Sequence, residues 1–217
     1  MTTCEARREA GFTLIELIVV LAVLGVLVAA AAPLAGAVAD ADRRQEVQRE
    51  LAELGTALDA YWFEHAAFPA TLTATDFLGV HVHPGVGNTA VLDPFGTGQG
   101  YLYSTATPGL AVVYSRGDNG RDNGVANEEF VLRVDAAVPG TRKTWQRLRL
   151  IVEVLAEHIE AGGSVAGSWP TVRAAAGLPA SFDADGWGTT LQWTATTHEL
   201  RSAGPDRSFG TSDDITL

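Results

Sequence analysis

The chain predicts an α+β protein: a long N-terminal helix packed on a small antiparallel sheet, followed by a second module of helix plus sheet. Three observations carry this. An apolar run from Phe12 to Ala39 contains one ionisable residue, Glu16. An amphipathic stretch follows it without a break, and a set of landmarks then recurs in the same order nearer the C-terminus.

The apolar run exceeds the ~20 residues that carry an α-helix across a bilayer core. Pro33 lies within it and is expected to kink or break the helix, because proline removes a backbone donor and clashes with the preceding turn. Beyond Asp40, Val47, Leu51, Leu54, Leu58 and Tyr61 fall at 4-3-4-3 spacing, with charged residues between them. That period marks one buried helix face. The helix is expected to end near His65, ahead of Phe68-Pro69.

Residues 70–92 show no period and read as a loop. Strands are expected over residues 100–104, 110–115 and 129–134, each bounded by Gly, Pro, Asn or Asp. A second amphipathic helix is expected over residues 141–161, with Trp145, Leu148, Ile151, Val152, Leu155 and Ile159 on its apolar side.

After this helix Trp169-Pro170 echoes Phe68-Pro69. Asp93-Pro94-Phe95-Gly96-Thr97 with Tyr101 is matched by Asp185-Gly186-Trp187-Gly188-Thr189 with Trp193; eight residues separate aspartate from the later aromatic in both copies. Ser115-Arg116-Gly117 and Ser202-Ala203-Gly204 each precede an Asp-rich loop. Four landmarks in one order point to an internal duplication. The resulting division is residues 1–11, a short polar leader; 12–39, the apolar helix; 40–138, a first head; and 139–217, a second head. Asp93 and Asp185 are expected to form turns by capping nearby backbone amides.

A carboxylate within an apolar run is costly, so Glu16 requires a compensating partner. The leader precedes the apolar run and ends in glycine, unlike a secretory signal, whose apolar core is shorter and followed by the cleavage site. Gly11-Phe12-Thr13-Leu14-Ile15-Glu16 resembles the class III signal of type IV prepilins and pseudopilins, G-F-T-L-[IL]-E, without departure. The leader, with Arg7 and Arg8 offset by Glu5 and Glu9, is less basic than usual for that family. The resemblance implies a pilin-like fold, cleavage after Gly11 by a membrane-embedded prepilin peptidase, and N-methylation of Phe12. It implies single-pass anchoring in a bacterial inner membrane with the head in the periplasm, then packing of the same helix in a filament core. There Glu16 would face the terminal amine of a neighbouring subunit.

The net charge is −11 and the pI is about 4.8, which gives no basis for a nucleic-acid surface. The only cysteine, Cys4, lies in the leader, so the remaining chain has no disulfide. Ser202 to Ile215 places three carboxylates, side-chain hydroxyls and two glycines in one loop, a donor set suited to a hard cation such as Ca²⁺. A solvated acidic turn is the alternative. The stretch resembles the S-x-G-x-D…G-T-x-D-D-I ending of the major pseudopilins of type II secretion systems. That resemblance implies calcium held by Asp206, Asp213 and Asp214, with Ser202 as a further candidate. The first copy lacks the G-T-x-D-D-I tail; Asp118 and Asp122, with Asn119, are its weaker candidates, and a plain Asn-Gly turn series explains them equally.

His81 and His83 form an i, i+2 pair, a weak metal signal without further ligands. No constellation argues for catalysis: the 162–166 segment lacks the final glycine and preceding strand of a nucleophile elbow. The expectation is a non-enzymatic subunit of a type II secretion pseudopilus or a related filament driving protein export. Its implied partners are further copies of itself, minor pseudopilins, the prepilin peptidase and the inner-membrane assembly platform. The alternative is a minor pilin or tip adhesin whose extra domain binds a ligand.

Overall fold

The structure is a computed structural model describing residues 13–83 and 85–217, with the side chains of 30–35 and 86–88 outside the described set. Gly11 and Phe12, and with them the expected cleavage junction, lie outside the described residues.

Helix α1 (Leu14–His65) is 52 residues long and continues through Pro33, so the proline does not end it. The chain divides at Gln45 into two units. In the first, Leu14, Ile15, Leu17, Ile18, Val19, Val20, Leu21 and Val23 are all exposed. Because these positions are nearly consecutive, they ring the helix, and an all-round apolar helix is stable only when covered by lipid or protein. Among the described residues no helix is long and apolar enough to cross a membrane.

The second unit begins at Glu46. Val47, Leu51, Leu54, Leu58 and Tyr61, the residues at 4-3-4-3 spacing, are all buried. They pack with Phe77, Val91, Tyr101, Ala111, Val113 and Phe130 in one core. The sheet over them is antiparallel, in the order β1 (Leu102–Ser104), β2 (Leu110–Tyr114), β3 (Val131–Asp135). Leu102 pairs with Tyr114, and Leu110 with Asp135. Alternation along β2 directs Ala111 and Val113 inward, as a sheet with one covered face requires. Residues 70–92 contain a short 3₁₀ turn (Val86–Val91).

Helix α2 (Ala137–Glu160) follows β3 with one intervening residue, the buried Ala136. Positions 138 and 139 therefore lie in the first turn of α2. The rotation of α2 differs from the expected one. Leu148 and Ile151 are buried, but Trp145, Val152 and Ile159 are 44, 48 and 52 % exposed. The N-terminal half of α2 instead turns Lys143 and Thr144 inward. Lys143 Nζ donates to the Glu64 carbonyl at 3.0 Å, and Thr144 Oγ1 accepts the Gly186 amide at 2.9 Å.

Helix α3 (Trp169–Ala175) occupies the place where the first module has only turns. It is followed by a second antiparallel sheet, β4 (Gln192–Thr194), β5 (Glu199–Ser202) and β6 (Ile215–Thr216). Gln192 pairs with Arg201, and Ser202 with Ile215. Leu148, Ile151, Trp169, Val172, Trp187, Leu191, Leu200 and Ile215 form a second core, which also includes Trp62 of α1. The protein is thus α+β, a long N-terminal helix with two helix-plus-sheet modules.

Candidate functional site

At the start of α1, Glu16 has a partner within its own chain. Its carboxylate accepts the Thr13 amide at 3.1 Å and the Thr13 hydroxyl at 3.0 Å. The Glu16 amide in turn donates to Thr13 Oγ1 at 3.4 Å. This is a reciprocal capping box, which satisfies amides that the first helical turn leaves without acceptors. Thr13-Leu14-Ile15-Glu16 spells it in sequence as T-x-x-E. The same carboxylate is exposed, so a second charge can approach it from outside.

The duplicated landmarks become two copies of one polar knot. Asp93 is buried, and its Oδ1 accepts the Phe95 amide at 3.0 Å and the Ser115 hydroxyl at 2.7 Å. Its Oδ2 accepts the Arg116 amide at 2.7 Å, and Gly117 N donates to Ser115 Oγ at 3.0 Å. In the second copy Asp185 Oδ1 accepts the Trp187 and Thr189 amides at 3.0 and 2.8 Å. Its Oδ2 accepts the Ser202 hydroxyl at 2.7 Å, and Gly204 N donates to Ser202 Oγ at 3.2 Å. Each aspartate joins the turn before its sheet to the strand that leads into the acidic loop.

Ser202 is consequently fully buried and committed to Asp185. The acidic loop lies just beyond it. Asp213 accepts the Thr211 hydroxyl at 2.6 Å and the Asp206 amide at 3.1 Å. These hydrogen bonds hold its carboxyl below the usual aspartate range, the Thr211 bond most strongly. Asp214 accepts the Gly210 amide at 2.8 Å and lies 3.8 Å from Arg201. Asp206 accepts the Ser208 amide at 2.7 Å. Gly204 has φ of 69°, and a side chain there would run into the Asp213 backbone, so only glycine lets the loop fold back this closely. The donors are hard oxygens, as Ca²⁺ prefers. The three carboxylates do not all lie within 4.8 Å of one another, so coordination by all three requires the loop to tighten.

In the first copy Asp122 accepts the Gly124 amide at 2.9 Å and Asn119 accepts the Arg121 amide at 2.8 Å. Asp118 is exposed in the turn before them. These Asx turns are the geometry of an Asn-Gly loop.

A long N-terminal helix, capped and apolar at its start, together with two helix-plus-sheet modules, makes the fold pilin-like. Residues 6–32 match the family model for the prokaryotic N-terminal methylation motif. The chain is similar to type II secretion system core protein G of Pseudomonas aeruginosa, 28 % identical over 137 residues, covering 57 % of this chain and 94 % of that protein. It is also similar to the proteins of that name from Klebsiella pneumoniae, 42 % identical over 66 residues, and Aeromonas hydrophila, 36 % over 75. Those two alignments cover 30 and 34 % of this chain and about half of each relative, 46 and 52 %. No solved structure matches the chain significantly. The resemblance read from Gly11 to Glu16 therefore extends to proteins of the type II secretion pseudopilin kind.

Proposed function

We propose that the chain is a non-enzymatic main subunit of a type II secretion pseudopilus, with a head enlarged by duplication. The observation carrying this is the similarity to nearly the whole length of the Pseudomonas core protein G, joined to a methylation motif on an apolar helix. That relative is spanned by little more than half of this chain, which leaves residues here for a further module. The ring of exposed apolar residues at the start of α1 needs lipid before assembly and neighbouring helices afterwards. Glu16, capped but exposed, then supplies the charge that a neighbouring amine would meet. The test is assembly: Glu16→Leu should still enter the membrane but yield few filaments, while Gly11→Leu should leave uncut precursor. Normal filament yield from Glu16→Leu, or Met1 retained in assembled subunits by intact mass, would refute the reading.

The acidic C-terminal loop is the proposed calcium site, with Asp206, Asp213 and Asp214 as ligands. Support comes from oxygen donors gathered in one loop with no covalent staple and from an Asp213 carboxylate held in its ionised form. Loops of this kind in extracellular modules bind at roughly 10⁻⁴–10⁻³ M, so millimolar calcium would fill most of it. Ten times the dissociation constant would add about 1.4 kcal/mol of stability through binding to the folded state alone. Chelation should lower the melting midpoint and expose residues 204–214 to protease, and Asp213→Ala should reproduce both in the presence of calcium. Equal melting with calcium and chelator, without heat of binding, would leave an ordinary acidic turn.

A further inference from the structure

Where α1 ends, the chain brings together three side chains that are not neighbours in sequence. Glu64 and His65 occupy the last two positions of α1, and His81 comes from the turn that follows Phe77. One ligand atom from each lies within 4.8 Å of the others, the one such group of His, Cys, Asp and Glu among the described residues. His81 Nε2 is 3.7 Å from Glu64 Oε2, and His65 Nε2 is 4.0 Å from the same oxygen.

His81 supplies the independent observation. Its side chain is only 6 % exposed, and its Nε2 has no hydrogen-bond partner among the described residues. At 3.7 Å the glutamate oxygen is too far to be that partner. A buried ring nitrogen without a partner carries a desolvation cost that calls for explanation. Here the nitrogen faces a carboxylate and a second imidazole, the arrangement expected of a ligand awaiting its ion. The ring is also fixed. It stands edge-on to Tyr61 at 5.3 Å and lies against Phe77 at 6.2 Å, while Tyr61 is stacked on His65 at 4.2 Å. Tyr61 is in turn anchored to Asp76 by a 2.7 Å hydrogen bond. Backbone bonds from His81 N to Phe77 O and from Gly79 N to Val82 O close the turn.

We propose that Glu64, His65 and His81 form a site for a divalent transition-metal ion of the zinc type. Two imidazoles and a carboxylate suit such a borderline ion and leave a fourth position for water. Tetrahedral zinc with bonds near 2.0–2.1 Å places its ligand atoms about 3.4 Å apart. The observed 3.7 and 4.0 Å are both to Glu64 Oε2 and need only a small closure, which the exposed Glu64 side chain can supply. His83 is not a member: it accepts the Gly85 amide through Nδ1. The ion would clasp the end of α1 to the 74–82 turn in a chain whose only cysteine is Cys4. Lys143, bonded to the Glu64 carbonyl, brings one opposing positive charge to the neighbourhood.

The test uses the full chain in detergent, purified without a histidine tag, with Co²⁺ as the spectroscopic probe and Zn²⁺ as competitor. One Co²⁺ per chain should give the visible absorption of a four-coordinate ion, displaced by Zn²⁺ and not by millimolar Ca²⁺. Zn²⁺ should raise the melting midpoint. His65→Ala, an exposed change that leaves the core intact, should weaken binding about tenfold or more, and so should His81→Ala. His83→Ala and Asp213→Ala should leave it unchanged, which separates this site from the C-terminal loop. Absence of cobalt absorption together with absence of a zinc-dependent shift at millimolar ion would overturn the proposal. So would binding that survives both His65→Ala and His81→Ala.

Discussion

Asp185 shows how one side chain can organise a module. It is 1 % exposed and accepts two backbone amides and the Ser202 hydroxyl. Removing it leaves two buried donors and the half-buried Thr189 amide without acceptors, each costing about 1–3 kcal/mol unless water enters. Asp185→Ala is therefore expected to lose about 3 kcal/mol or more, a fall of roughly 6–12 °C in melting midpoint for a chain of this size. Ser202→Ala removes one hydroxyl and should cost only about 1–2 kcal/mol. An unchanged midpoint for Asp185→Ala would deny the knot its role. Glu50 works in the opposite sense. It is almost buried beneath Tyr101, whose hydroxyl donates to it at 2.6 Å, and burial pushes its carboxyl above the ordinary glutamate value. A carboxyl with a raised folded pKa binds more protons in the folded state, so its contribution to stability falls as pH rises past the unfolded value of about 4.3. Glu50→Gln keeps an acceptor for Tyr101 and cannot ionise. Melting curves for the two proteins should diverge in the variant's favour between about pH 4 and pH 7, and parallel curves would contradict this.

Helix α1 was legible because its inner face is set by packing over several turns, and the period of Val47 to Tyr61 survives into the core without exception. Helix α2 was less so. Its period fits two faces, and the choice was made by contacts that sequence does not display: Lys143 on the Glu64 carbonyl and Thr144 on the Gly186 amide. Those contacts turn Trp145, Val152 and Ile159 outward. The knot aspartates could be recognised as turn formers from their Asp-x-aromatic-Gly context, but their bonds to Ser115 and Ser202 depend on sheet register. His65 and His81 are brought together only by topology, since the visible pair in sequence is His81 with His83. The first turn of α2 also approaches the Asp185 turn closely. A side chain at Gly140 would collide with the Trp187 indole, and one at Gly186 with the Gly140 carbonyl. Trp187 Nε1 meanwhile donates to the Ala136 carbonyl at 3.1 Å. Gly140→Ala, ordinarily favourable in a helix, should here destabilise by about 1–3 kcal/mol through overpacking. Stabilisation on chemical denaturation would show that the Trp187 indole yields to the added methyl group.

At the scale of the whole molecule, the two modules share part of their cores. Trp62 extends from α1 into the core built by α2, α3 and the second sheet, stacked at a tilt on Phe68 at 4.7 Å. Phe68 packs against both cores. Asp59 and Arg142 join the helices at 2.7 Å, and the Arg142 guanidinium lies 5.1 Å above the Phe63 ring. A fragment starting at residue 141 would cut into α2 and lose Trp62, Ala136 and these contacts. Such a fragment should be much less stable than the same residues in the intact chain. The sharper experiment keeps the chain whole. Trp62→Ala removes a nearly buried indole, a change that typically costs about 3–5 kcal/mol in a core. Although the substitution lies in the first repeat, it should loosen the second core directly. If the shared core couples the modules, thermal unfolding followed by tryptophan fluorescence and by circular dichroism should give one coincident transition, displaced as a unit. Separate transitions, with the second-module signal unmoved by Trp62→Ala, would instead establish two independently folding heads.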